Sequence, residues 1–446
     1  MSTTSELFIR DLGDGLILRR ASAEDADALA DMNSRMHSDD GPDKPYERIG
    51  VWTRDLLAPI HPTTRPSDFT IVEETSTGRI VSTLCLIPQT WTYEGIEFGV
   101  GRPELVSTLP EFRKRGLVRI QMEEVHKWSE ERGHLVQIIT GIPYFYRQFG
   151  YDMVLNFVGR KFGYEPHVPA LKEGEVEPFK IRPAEDADAE FILQVYRDNE
   201  SRYAISCKRE LADIRYEMSG QSRENINRFE MMVIENVQGE RVGYFQYAGE
   251  NWFGGLYCTY YGIAKGASWL EVSPSVVRFL WKKGGEYAEQ TSQPRTSFGF
   301  SLGEGHPVYE ALEDKLPAQR VPYAYYVRVA NVAAFLKQVA PVLEKRLVES
   351  IAAGYTGELK LSFYREGVRL VFERGRISLI EPMKISTGTS TDASFPDLTF
   401  LHLLFGHRSL DELRHAFVDC YCENHTARVL VNALFPKRLS NVYPIY

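Results

Sequence analysis

Blocks of apolar residues, alternating with polar ones or bounded by turn residues, predict strands at 16–18, 69–74, 79–92, 97–109 and 136–140. The second and third of these flank Thr77-Gly78 and predict a hairpin, and Pro88 lets the longer strand continue only as a bulged or edge segment. Two stretches have helical spacing instead. Ser22 is placed to cap a helix whose first turn carries Glu24 and Asp25, where the helix dipole favours acids. Leu117, Ile120, Met122, Val125 and Trp128 fall on one face of a second helix, which Arg132-Gly133 ends. Residues 39–68, rich in Pro and Asp and containing Trp52, predict a helix and loop over a cleft.

The wording of 16–28 returns at 179–189, where a strand again leads through an arginine into an acidic helix start. Aligned on E-D-A-D-A, the second copy has two residues fewer in the turn. A repeat of about 160 residues has the size of a duplicated domain. Strands at 231–235, 241–247, 268–272 and 297–301 continue the second copy, with a helix reaching Gln290. The charged stretch 171–178 marks the first boundary. Beyond 329 a helix at 330–349 precedes a hairpin, 357–363 with 368–372 around Glu366-Gly367, and two helical runs at 398–405 and 409–420, after which the chain ends through 427–435.

The stretch 106–116, V-S-T-L-P-E-F-R-K-R-G, organises the first copy. A short strand ends at Pro110, a turn carries Arg113, Lys114 and Arg115, and a helix starts at Gly116. Free amides and the positive end of the helix dipole then point at one spot, which suits a pyrophosphate. In the second copy Ser273-Pro274-Ser275-Val276-Val277-Arg278 stands after the 268–272 run, without the basic glycine turn.

Arg113-Lys114-Arg115-Gly116, followed by Tyr146-Arg147-Gln148-Phe149-Gly150-Tyr151, resembles the coenzyme A signature of the GCN5-related N-acetyltransferases. The common pattern in that superfamily has Gly or Ala two residues after the turn glycine, where this chain has Val118. The F-G-x-x-S-x-x-E-L wording at 405–413 resembles a sterol-carrier-type domain. Together the three parts resemble the Eis-like (enhanced intracellular survival) acetyltransferases over nearly the whole chain. The resemblance implies an α/β (α+β) fold with an acetyltransferase domain at 1–172, a degenerate copy at 173–328 and a sterol-carrier-like domain at 329–446. It further implies a cytoplasmic, acetyl-CoA-dependent N-acetyltransferase that assembles as a homo-oligomer, commonly a hexamer, and acts on an amine-bearing small molecule or a lysine side chain.

By the same resemblance, the strands at 106 and 136 splay apart to admit the pantetheine arm. Val106, Ser107 and Thr108, the turn and helix start Arg113, Lys114, Arg115, Gly116, Leu117, Val118 and Arg119, and Gly141-Ile142 hold acetyl-CoA. Tyr146 is the proton donor to the leaving thiolate. The proton acceptor is the C-terminal carboxylate, here on Tyr446, with Glu104 as the alternative.

Composition narrows the partners. A net charge of −9 argues against a general nucleic-acid binder. No apolar run approaches the ~18 residues of a membrane span, and the first residues have no secretory pattern. The five scattered cysteines fit reduced thiols, and Cys420-x-Cys422 alone does not make a metal site. Two other readings fit: a lipid-holding binding protein with a dead site, against which the intact basic turn argues, and an acyltransferase using longer acyl-CoA or aminoacyl-tRNA.

Overall fold

The structure, a computed structural model, describes residues 7–291 and 294–442. Its strands in chain order begin with β1 (Phe8–Gly13), β2 (Leu16–Arg20), β3 (Phe69–Glu74), β4 (Arg79–Tyr93), β5 (Ile96–Thr108), β6 (His134–Ile139) and β7 (Asp152–Phe157). β8 (Arg160–Gly163), β9 (Lys180–Pro183), β10 (Ile205–Cys207), β11 (Phe229–Glu235), β12 (Arg241–Ala248), β13 (Gly255–Ile263), β14 (Ser297–Phe300), β15 (Ala318–Arg320) and β16 (Tyr323–Arg328) follow. The last group is β17 (Gly357–Ser362), β18 (Glu366–Glu373), β19 (Arg376–Lys384), β20 (Ala393–Ser394) and β21 (Tyr421–Cys422).

Three sheets result. The first runs β1-β2-β3-β4-β5-β6-β16-β7, with β10 on the free side of β4. The second runs β15-β8-β14-β13-β12-β11-β9, and the third β19-β18-β17-β20-β21. The first two repeat one plan: an antiparallel run, then a helix crossing to a strand parallel to the last, β5 with β6 and β13 with β14. The mixed α/β architecture thus agrees with the sequence reading. Strand membership crosses the expected bounds, however. β8 precedes residue 173 yet lies in the second sheet, and β16 leaves the second copy to fill the gap between β6 and β7.

In the first copy β2 leads through a capping turn into α1 (Ala26–Met36), then α2 (Glu47–Leu57), and α3 (Leu117–Glu131) joins β5 to β6. In the second, β9 leads into α4 (Ala189–Glu200) and α5 (Leu211–Arg215), and α6 (Trp269–Thr291) joins β13 to β14, with the short α7 (Val308–Ala311) after it. Arg19 binds Asp25 and Glu73; Arg182 binds Asp188 and Glu235. Both arginines stand six residues before their aspartate, so the copies align without the two-residue gap expected from the E-D-A-D-A wording. The ion pair, not the spelling, fixes the register.

The strand expected at 268–272 is the start of α6. Val272, Val276, Val277 and Leu280 are buried at helical spacing, and the strand occupying the expected place is β13. Five apolar-rich residues do not separate the two periods, and Pro274 is accommodated in the early turns of the helix. In the third sheet the hairpin turn lies at 363–365, with Tyr364 left-handed, rather than at Glu366-Gly367, and β19 adds a strand the pattern did not suggest. α8 (Val332–Val348), α9 (Phe400–Leu404), α10 (Leu410–Ala416) and α11 (His425–Leu434) accompany that sheet, and Ser409 caps α10 reciprocally with Glu412. Among the described residues no helix is long and apolar enough to cross a membrane.

Candidate active site

β5 and β6 pair only at Gly99–His134, Val100–Val136 and Gly101–Gln137. Beyond these pairs, Leu105 takes a left-handed backbone (φ 53°) where the β4–β5 register shifts. Such a bulge kinks a strand and breaks its ladder. Val106, Ser107 and Thr108, just past the bulge, line a cleft of about 600 Å³.

The turn after β5 lies at the same cleft. Lys114 (φ 62°) and Gly116 (φ 78°) are left-handed, and Gly116 stands at the N-cap of α3. The first α3 amide with a helical partner is Ile120, which donates to the Gly116 carbonyl at 3.1 Å. Leu117, Val118 and Arg119 therefore have no carbonyl in the ladder for their amides, and no acidic side chain stands in the first turn to compete for them. A Cβ on Gly116 would meet nothing within 4 Å, so the constraint there is backbone conformation.

Arg113, Lys114, Gly116, Leu117, Val118 and Arg119 line the cleft. Arg115 does not: its guanidinium faces Asp14 (3.3 Å) and lies over the Phe112 ring. Arg119 donates to Gln148 (2.9 Å) and covers Phe149, tying the helix start to the loop after β6. Val118 packs partly buried beside Tyr146 in the cluster under α3.

That loop brings Ile142, Phe145, Tyr146, Gln148 and Phe149 to the cleft wall. Tyr146 is 6% exposed. Burial, then the charge of Glu104 and the neighbouring Tyr326, push its hydroxyl far above the ordinary tyrosine value, so it is protonated at neutral pH. Gly141 lies behind the wall, where a Cβ would come within 2.6 Å of the Tyr146 ring. The loop is tied from β16: Tyr323 donates to the Gly141 carbonyl (2.9 Å) and Tyr326 to that of Ile142 (3.3 Å). Nothing in the sequence near residue 146 announces these partners.

Glu104 is held by Arg102 (2.7 Å) and accepts from Thr140 (3.1 Å) across the mouth of the splay. Tyr446 lies outside the described residues. The chain just before it is described: Leu439 and Asn441 bond Ala204 and Ile205 along β10, and β10 is antiparallel to β4. Residues 439–442 thus run along the sheet in the direction that leads along β4 from Tyr93 toward Cys85, which faces Glu104. His37, at the C-terminus of α1, was not singled out by the sequence. Its Nε2 lies 2.9 Å from the Ser107 hydroxyl.

In the second copy the corresponding helix begins at Trp269 without a basic glycine turn. Arg278 and Ser275 are both taken by Glu177. Four cysteines are buried and Cys422 is half-buried; burial raises their thiols, which removes them as nucleophiles.

Residues 18–154 match the family model described as an acetyltransferase (GNAT) domain. No curated protein matches the sequence. Among solved structures the chain is similar to a probable N-acyltransferase from Enterococcus faecalis, with a TM-score of 0.64 and 14% identity over 97% of this chain and 100% of that one. It is similar to a GCN5-related N-acetyltransferase from Kribbella flavida at 0.64 and 16%, over 97% and 98%. Eis1 from Mycobacterium abscessus gives 0.58 and 11%, over 97% and 99%. At these identities the likeness concerns the fold.

Proposed function

We infer that this chain, a GCN5-related acetyltransferase by its residues 18–154, moves an acetyl group from acetyl-CoA to a primary amine by direct attack in a ternary complex. One observation carries the reading. A strand edge opened by a bulge, a basic left-handed turn before an acid-free helix start, and a buried protonated tyrosine meet in one cleft.

In this reading the pyrophosphate sits on the amides of residues 114–118 and beside Arg113, Lys114 and Arg119. The pantetheine arm lies along Val106, Ser107 and Thr108 as an added strand, with Gly141-Ile142 opposite. Tyr146 gives its proton to the thiolate as the C–S bond breaks. The carboxylate of Tyr446 is the proposed partner of the ammonium; the direction of residues 439–442 supports this, and the ion pair of Glu104 with Arg102 disfavours the alternative. The second copy is non-catalytic, its Arg278 being committed to Glu177. Release of free CoA thiol, with acetyl-CoA and a panel of aminoglycosides, polyamines and lysine peptides, tests the reading. Amine-dependent release supports it, and its absence across the panel counts against it.

A further inference from the structure

A chain of hydrogen bonds beneath the cleft fixes the tautomer of His37. The Thr53 hydroxyl spends its proton on the Ile49 carbonyl (2.9 Å), so it can only accept from the Asn33 amide nitrogen (3.3 Å). That turns the Asn33 oxygen toward Ser107, whose hydroxyl donates to it (2.9 Å). Ser107, its proton committed, accepts from His37 Nε2–H at 2.9 Å. A neutral imidazole has one N–H, so Nδ1 is bare. It makes no hydrogen bond to the described protein. Met36, which precedes His37 in the chain, and Ser107, its hydrogen-bond partner, both line the cleft.

We propose that His37 Nδ1 takes the proton of the acceptor ammonium, through one water, before attack on the thioester held along Ser107. This rests on the acetyltransferase reading and adds the group that stores the proton. A terminal carboxylate suits an ammonium as counter-ion, but its ordinary value near 3.3–3.7 makes it a base about 10³-fold too weak to hold a proton at pH 7. An imidazole is matched to the task.

The balance closes. One ammonium proton goes to Nδ1, the nitrogen bonds the carbonyl carbon, and the C–S bond breaks. Sulfur takes the Tyr146 phenolic proton, and the second proton on the new C–N nitrogen restores the tyrosinate. His37 returns its proton to solvent, one per turnover.

Burial lowers the imidazole below its ordinary value and the charge of Glu104 opposes this, so the ring is neutral at pH 7. The charged group acting on it is Glu104 on β5, paired with Arg102; Tyr146, on the cleft wall, lies under the same Glu104 charge.

His37→Gln is the informative variant, because its amide can still donate to Ser107 while offering no basic nitrogen. kcat/KM for the amine should fall about 10²-fold, with the acid limb below about pH 6.5 removed and calorimetric acetyl-CoA affinity unchanged. Activity within threefold of wild type with the limb intact overturns the proposal, as would full rescue by Gln of a defect seen in His37→Ala. The tautomer is read separately, without an acceptor, from ¹⁵N shifts of histidine-labelled protein at pH 7.5. A bare Nδ1 on the resonance missing from His37→Gln supports the proposal, and an Nδ1–H or doubly protonated ring overturns it. Loss of acetyl-CoA binding by the wild type would instead defeat the function reading.

Discussion

The ring of Tyr326 meets that of Tyr146 edge-on, with centroids 5.6 Å apart. Tyr326 belongs to β16, which leaves the end of the second copy to lie between β6 and β7. The candidate proton donor of the first copy is thus held by the last strand of the second copy. Tyr326→Ala removes the ring contact and the bond to Ile142, and should cost about 3–5 kcal/mol. Tyr326→Phe, losing one 3.3 Å bond, should cost about 1 kcal/mol or less. Denaturant midpoints check both, and equal effects would show the ring contact to be idle.

Tyr146→Phe keeps the ring and removes the proton. Turnover should fall about 10²–10⁴-fold while acetyl-CoA affinity stays within a few-fold. Because burial raises the Tyr146 hydroxyl, the group stays protonated as pH rises, and no loss of activity below pH 10 should trace to its ionisation. A pH–rate profile of wild type against variant measures this; survival of turnover within a few-fold would make Tyr146 a packing residue.

Gly116 separates conformation from charge. Asn and Asp both tolerate its left-handed backbone better than other side chains, and a Cβ there enters open space. Gly116→Asn should fold normally and bind acetyl-CoA somewhat less well. Gly116→Asp, which puts a carboxylate at the helix start, should bind about tenfold more weakly than Asn, about 1.4 kcal/mol. Arg278→Gln, which only frees Glu177 in the second copy, should leave affinity unchanged. Equal binding by the Asn and Asp variants would place the pyrophosphate elsewhere.

Much of this site was legible locally, because its signals are short-range. Gly116 and Gly133 bracket α3, and the period between them identifies its buried face. What was not legible is non-local. The bulge at Leu105 is a backbone event that no residue type there demands. The tautomer of His37 depends on Asn33, Thr53 and Ser107, which three separate elements contribute. Exchange of β8 and β16 between sheets cannot be read from alternation, since an apolar strand does not say which sheet it joins. At 268–272 the stretch was too short to tell strand from helix, and only burial at Val276, Val277 and Leu280 resolved it.

The duplicated ion pair gives a stability prediction. Burial alone would raise the Asp25 carboxyl; the hydrogen bonds from Arg19 and Ser22 and the Arg19 charge override it and hold it below its ordinary value. Asp188 is lowered in the same way by Arg182 and the Glu185 amide. A depressed carboxyl contributes stability that is present above its unfolded value, about 3.9, and lost as pH falls through the folded value. Asp25→Asn and Asp188→Asn should each cost about 1–3 kcal/mol at pH 7, with the gap to wild type closing below about pH 4. Melting curves from pH 7 to 3 measure it; a constant gap would mean that the ion pairs are not its source.

The most direct test of the whole account is calorimetric titration of the wild-type chain with acetyl-CoA. One copy keeps the basic turn and the open strand edge; in the other α6 starts without that turn and Glu177 holds Arg278. The account predicts one saturable site per chain, lost or strongly weakened in Gly116→Asp. No binding, two equivalent sites, or an affinity indifferent to that substitution would contradict it.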